Sequence, residues 1–179
     1  LGDMSPKLIN ENGWDLGLYQ GHYTREMYEE DLDLIHSDYK RFALRVAEGL
    51  LFPNSASNVC RPLGSADELR MRILNRRHDL IAQVLIKGMV DITPDHMAAN
   101  YHYWSTMAGA DFREVLPKID VPVMILYADP GSAYCPATAV YMKEQIPNAT
   151  LMPIYGCTHM AASENPMQWR GCVAAFAYP

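Results

Sequence analysis

Residues Val123-Met124-Ile125-Leu126-Tyr127 form an unbroken apolar run. Successive side chains of a strand point to opposite faces, so a run of this kind would expose apolar surface if either face met water. It fits a strand covered on both sides, as in a parallel sheet flanked by helices. Asp120-Val121-Pro122 leads into the run, a loop follows from Ala128 to Cys135, and Pro136 to Gln145 reads as a helix. Ala149 to Tyr155 reads as a second strand. Pro153 places that strand near a sheet edge, because proline has no N–H to give to a ladder. A last helix is expected from Pro166 to Phe176. Strand, helix, strand, helix makes this end of the chain α/β with a parallel sheet.

The middle of the chain has a helical texture. Thr24 is an N-cap candidate with Glu26, Glu29 and Glu30 in the early turns, and one helix is expected to run on to Leu51, ahead of Pro53. Glu29-Glu30-Asp31 reads as a solvated face. Asn54 to Gly64 reads as a polar loop. Ser65 and Glu68 have capping-box spacing, which predicts a helix from Ala66 to about Gly88. Thr93-Pro94 predicts another, to about Ala108. Before Thr24 the chain is rich in glycine and reads as loop. The division expected is therefore residues 1–23 as the end of a core strand with its following loop, 24–110 as a helical cap, and 111–179 as the C-terminal α/β core.

Hydrophobic residues make up 49% of the 179 and charged residues 20%, a globular balance with room for a sizeable core. A formal net charge of -6 argues against a nucleic-acid partner, which needs a basic face. No apolar run has transmembrane length and no signal peptide is evident, so the expectation is no membrane association and a cytoplasmic location. Cys60, Cys135, Cys157 and Cys172 form no C-x-x-C pair, and nothing near Cys157 and His159 completes a metal set. Free thiols are expected. The opening Leu1-Gly2-Asp3-Met4-Ser5-Pro6 reads like the end of a strand running into a loop, which suggests a fragment, a processed product or one piece of a two-chain assembly.

Three groups of residues carry a resemblance. Asp111-Phe112-Arg113-Glu114-Val115-Leu116-Pro117-Lys118-Ile119-Asp120-Val121-Pro122-Val123 looks like the approach to a late sheet strand of α/β-hydrolases. Ile146-Pro147-Asn148-Ala149, then Gly156-Cys157-Thr158-His159 and Glu164-Asn165-Pro166, resemble that family's approach to its catalytic histidine. Asp3-Met4-Ser5-Pro6 resembles the strand end after the nucleophile half of esterase and non-metal haloperoxidase-like members. The resemblance is thus to the C-terminal half of an α/β-hydrolase: the end of its parallel sheet with a helical cap.

That resemblance implies that His159 is the general base, taking a proton from a nucleophile and returning it to a leaving group. The acid would be Asp3, from the neighbouring core strand, or Asp129. The position where the family commonly carries its acid falls at about Gly131 or Ser132, neither of which can serve. Trp14, Tyr103, Trp104 and Met107 are the expected substrate-binding residues, in aromatic clusters suited to an apolar acyl group. No cofactor and no metal are implied. The nucleophile is missing: no G-x-S-x-G occurs, and Ser5, Ser105, Ser132 and Ser163 lack the flanking glycines. The partners expected are an N-terminal α/β-hydrolase chain bearing that motif and a small-molecule ester, thioester or lactone. An acyltransferase on the same scaffold, or a ligand-binding relative without catalysis, are the alternatives. His22, His36, His78, His96 and His102 show no ligand spacing and read as surface or packing residues.

Overall fold

The computed structural model describes residues 1–53 and 61–178. Cys60 and most of the loop expected over 54–64 lie outside the described residues. In chain order the elements are a short turn α1 (Leu18–Gly21), α2 (Arg25–Ser37), α3 (Tyr39–Leu51), α4 (Ala66–Arg76), α5 (Leu80–Val90), α6 (Pro94–Gly109), β1 (Val123–Pro130), α7 (Pro136–Gln145), β2 (Ala149–Cys157), α8 (Ala161–Glu164) and α9 (Pro166–Ala177).

β1 and β2 pair in parallel, Val123 opposite Ala149 through Asp129 opposite Tyr155. On the other side of β1, Gly2 makes a parallel bridge to Leu126, and the Leu126 N–H donates to Leu1 O at 2.8 Å. The opening residues therefore extend the sheet beside β1, and β2, with its Pro153, is an edge. The apolar run divides by its period of two. Ile125 joins Leu116, Met142 and Ile146 under α7, while Met124, Leu126 and Ala128 join Ile154 under Trp169 and Cys172 of α9. Both faces of β1 are covered, as the unbroken run requires.

The sheet register slips where the second strand ends. Pro130 pairs with Cys157, so Gly156 has no partner. Gly156 sits at φ +70, and this extra residue bulges the strand and re-aims the chain just before His159. The Asp129–Pro130 peptide bond is cis.

The helices share one large core that includes Ile35, Phe42, Leu51, Leu69, Ile73, Ile86 and Trp104. α3 is its centre, packed against α2, α4 and α5, while α6 lies against α2. The start signals read from sequence are present: Thr24, Ser65 and Thr93 each accept a backbone N–H of the first turn, and Ser65 and Glu68 close a full capping box.

Two expectations about this block are corrected. The single helices expected over 24–51 and 66–88 are each two helices. Asp38 leaves helical geometry (φ -153, ψ 73) and its carboxylate accepts from Arg41 N. Arg77 is extended (φ -147) and Asp79 caps the next helix through Ala82 N. A short acidic side chain that bonds the backbone ahead of it competes with helix continuation, and each break lets the following helix fold back onto the core. Glu29-Glu30-Asp31 is not a uniformly solvated face either. Glu29 and Glu30 are exposed, but Asp31 is 0% exposed. Arg45 Nη1 donates to Asp31 Oδ1 at 2.6 Å and Tyr23 OH donates to Asp31 Oδ2 at 2.8 Å. Arg45 also pairs with Glu30. Trp104 Nε1 donates to Tyr23 OH at 2.9 Å, so one buried chain of hydrogen bonds joins α2, α3 and α6.

Burial pushes the Asp31 carboxyl up to about 6 from 3.8, against the pull of Arg45. Folded Asp31 thus keeps a proton that an unfolded aspartate has released. Its contribution to stability is full below the unfolded value and is lost as pH rises through the folded one. Urea midpoints measured against pH for the parent chain and Asp31→Asn test this. The parent-minus-variant difference is expected to fall between about pH 4 and pH 6; a difference flat across that window would contradict it.

Candidate active site

Asp3 and His159 stand 156 positions apart and meet, with His159 Nδ1 2.8 Å from Asp3 Oδ2. Each is placed by backbone. Asp3 follows the Gly2 bridge, and its N–H donates to Leu126 O at 2.7 Å. Its φ of 39 is left-handed, a region aspartate tolerates better than most residues but at some cost. That turn lets Asp3 stop the strand and direct its carboxylate along the ends of β1 and β2. Asp3 Oδ1 accepts Ala128 N–H at 3.3 Å, which leaves Oδ2 for the histidine. The Asp3 residue is 7% exposed. An ionised carboxylate only accepts hydrogen bonds, so the Nδ1 atom carries the proton. Nε2 is then the basic nitrogen.

The His159 backbone is fixed too. Its N–H donates to Ser132 Oγ at 2.7 Å, and Tyr134 stands edge-on to the imidazole with centroids 6.0 Å apart. Burial first, and then the Asp3 charge, hold the Tyr134 hydroxyl well above the usual tyrosine range, so it stays neutral.

His159 lines a cavity of about 230 Å³ with Met4, Tyr103, Trp104, Met107 and Tyr134 among its walls. A larger cleft, about 480 Å³, lies between α4 and α5, with Arg70, His78 and Asp91 on its sides. The acid–imidazole pair, rather than volume, marks the smaller cavity as the candidate site. Its lining is almost wholly apolar, which suits an acyl chain and strengthens the electrostatics of the pair.

The residues singled out from sequence separate here. Asp3, His159, Tyr103, Trp104 and Met107 come together. Asp129 does not join them: it is held in β1 opposite Tyr155, and its side chain makes no hydrogen bond or ion pair among the described residues. Trp14 is likewise elsewhere. Its Nε1 donates to Lys7 O at 3.0 Å and its ring meets Tyr141 edge-on at 5.0 Å, under Arg113. Trp14 fastens the opening loop to α7 instead of lining the cavity. The other five histidines are exposed. Among the described residues no group of three or more His, Cys, Asp or Glu could hold a metal ion, and no helix is long and apolar enough to cross a membrane. Cys135, Cys157 and Cys172 are free thiols.

Sequence reasoning missed Tyr134 and the part played by Ser132. Ser132 is 0% exposed and donates to Leu50 O at 2.7 Å as well as receiving His159 N–H. It is a buried brace, in the region where the usual acid would stand. Gly131 beside it has φ +75, and a Cβ there would lie 2.4 Å from Tyr134 O. The only sequence signal was the run of small residues after Pro130, which marks a tight turn but not what it supports.

By sequence, the chain matches no family model and no curated protein. By structure it is similar to a hydrolase from Pseudomonas aeruginosa PA01 (TM-score 0.68, 15% identity, covering 100% of this chain and 54% of that one). It is similar to an esterase from Exiguobacterium antarcticum (0.69, 14%, 97% and 54%) and to a bromoperoxidase from Bacillus anthracis (0.66, 15%, 97% and 55%). The fold is that of an α/β-hydrolase. The chain spans about half the length of these structures and has the architecture of the C-terminal half of an α/β-hydrolase.

The turn at Gly131, beside the site, leaves no room for a side chain. Gly131→Ala is expected to cost about 2–3 kcal/mol, from forced left-handed backbone and the close Tyr134 carbonyl. Urea unfolding checks it; an unchanged midpoint would show that the turn relaxes freely.

Proposed function

We propose that this chain supplies the base and acid of a serine-type acyl-transfer site, acting on an ester, thioester or lactone. His159 is the general base and Asp3 its acid partner; the nucleophilic serine and the oxyanion donors come from polypeptide outside these 179 residues. The observation that carries this reading is the 2.8 Å contact of His159 Nδ1 with Asp3 Oδ2 at the wall of an apolar cavity. With Nδ1–H held by the carboxylate, Nε2 accepts the seryl proton as the oxygen attacks the carbonyl carbon. It then returns that proton to the leaving alcohol or thiol. Water repeats the sequence on the acyl intermediate. The Asp3 carboxylate stabilises the imidazolium.

Names borne by similar structures agree with acyl chemistry: an esterase, a hydrolase and the enol-lactonase from Burkholderia xenovorans LB400 (TM-score 0.62, 16% identity, covering 86% of this chain and 51% of that one). The need for complementing polypeptide is supported by surface as well as by the missing G-x-S-x-G. Helix α9 buries no residue, and Met167, Val173 and Phe176 are exposed along it, as is Leu1 on the strand beside β1. Apolar surface of this extent on a sheet flank is the kind that a second body covers.

The absence of a nucleophile in the chain also favours a second reading, a ligand-binding relative without turnover. A fluorophosphonate probe, which reacts with activated serines, separates the two. The probe is applied to an N-terminal α/β-hydrolase half bearing G-x-S-x-G, alone and with this chain. Labelling is expected only in the mixture, falling about 10²–10⁴-fold in rate with His159→Ala and markedly with Asp3→Asn. Labelling that ignores His159→Ala would favour binding alone.

A further inference from the structure

Two separate bridges tie the end of α3 to the His159 loop. A helix leaves its last carbonyls without backbone partners, and here side chains supply them. Leu50 O accepts Ser132 Oγ–H at 2.7 Å, and Leu51 O accepts Arg77 Nη1–H at 3.0 Å. Each of these donors also grips the histidine loop. Ser132 Oγ accepts the His159 N–H at 2.7 Å. Arg77 Nη1 lies 2.6 Å from Glu164 Oε1, and the Glu164 carboxylate accepts Thr158 N–H at 2.6 Å and Thr158 Oγ1–H at 2.9 Å. Thr158 directly precedes His159. The side chains of Arg77 and Glu164 are 15% and 12% exposed, so their pairing is poorly screened and directional.

The position of α3 matters because the same helix forms part of the cavity wall, through Val46 and Leu50. What fills the cavity bears on α3, and α3 bears on both the backbone N–H of His159 and the loop just before it. Arg77 stands in the break between α4 and α5, where Nε also holds Asp79 Oδ2 at 2.8 Å, so the second bridge gathers three helices of the block.

We propose that Arg77, through Glu164, and Ser132 are positioning residues that couple the placement of α3, and so the occupancy of the cavity, to the orientation of the His159 imidazole. This rests on the reading of His159 as the proton carrier, but its test needs no turnover. Imidazole ¹⁵N shifts, and exchange of the Nδ1 proton with water, are measured by NMR on the full chain and on Arg77→Met, Arg77→Lys, Glu164→Gln and Ser132→Ala. Unfolding midpoints serve as the control. Losing either bridge is expected to speed Nδ1 exchange about tenfold, with shifts moving toward those of an unpaired imidazole. Arg77→Lys should recover part of the effect. Where Arg77→Met fails to fold, Glu164→Gln keeps the side-chain shape, weakens the bridge and must show the same change. His159 signals that superimpose on the parent's in folded Arg77→Met or Glu164→Gln, and in Ser132→Ala, would overturn the coupling. Failure of serine labelling in the assembled protein would bear on the proposed function alone.

Discussion

The hydrogen bond between Asp3 and His159 joins the first residues of the chain to the loop that follows its last strand. Much of the surrounding backbone serves that contact. Leu1 and Gly2 must lie in register beside β1 for Asp3 to emerge at the strand ends. Asp3 must then take a left-handed turn, and the sheet must slip at Gly156 so that the chain reaches His159 from the correct side. Backbone outliers of this kind cost free energy locally and persist where surrounding hydrogen bonds over-determine them. The Ala128 N–H on Asp3 and the Ser132 hydroxyl on His159 are two such bonds.

The helical block does a different job. It supplies Val46, Leu50, Tyr103, Trp104 and Met107 to the wall around the imidazole, and it is itself braced by buried polar groups. Trp104 is held by Tyr23, which is held by Asp31, which is paired with Arg45. Such a chain contributes little net stability but fixes one arrangement, because breaking any link leaves a buried group unpaired. The wall at Trp104 is therefore set by α2 and α3 as firmly as by its own helix.

The α/β architecture was legible in the apolar run at Val123–Tyr127 and in Pro153, because burial on both faces and the missing N–H are written in residue type. Helix starts at Thr24, Ser65 and Thr93 were legible for the same reason: caps are local chemistry. The breaks at Asp38 and Asp79 have equally local caps, yet the apolar spacing runs on across them, and only the packing of α3 and α5 shows that the chain turns there. At the candidate site the histidine loop could be read from its flanking pattern. The choice between Asp3 and Asp129 could not, since it depends on which strand lies beside β1. Trp14 and Asp31 mark the limit in opposite senses: Trp14 fastens a loop away from the cavity, and Asp31, within an otherwise exposed acidic run, faces inward toward an arginine fourteen positions on. Neither distinction exists before tertiary contacts form.

In the proposed function, the imidazole of this chain serves an attacking oxygen donated from outside it. A crystal structure of the chain assembled with a half that carries G-x-S-x-G measures this directly, as the separation between His159 Nε2 and the seryl Oγ. Hydrogen-bond contact is expected, about 2.6–3.2 Å, with the Asp3 bond retained. A seryl oxygen well out of reach of Nε2, or an imidazole turned away from Asp3 in the assembly, would contradict it.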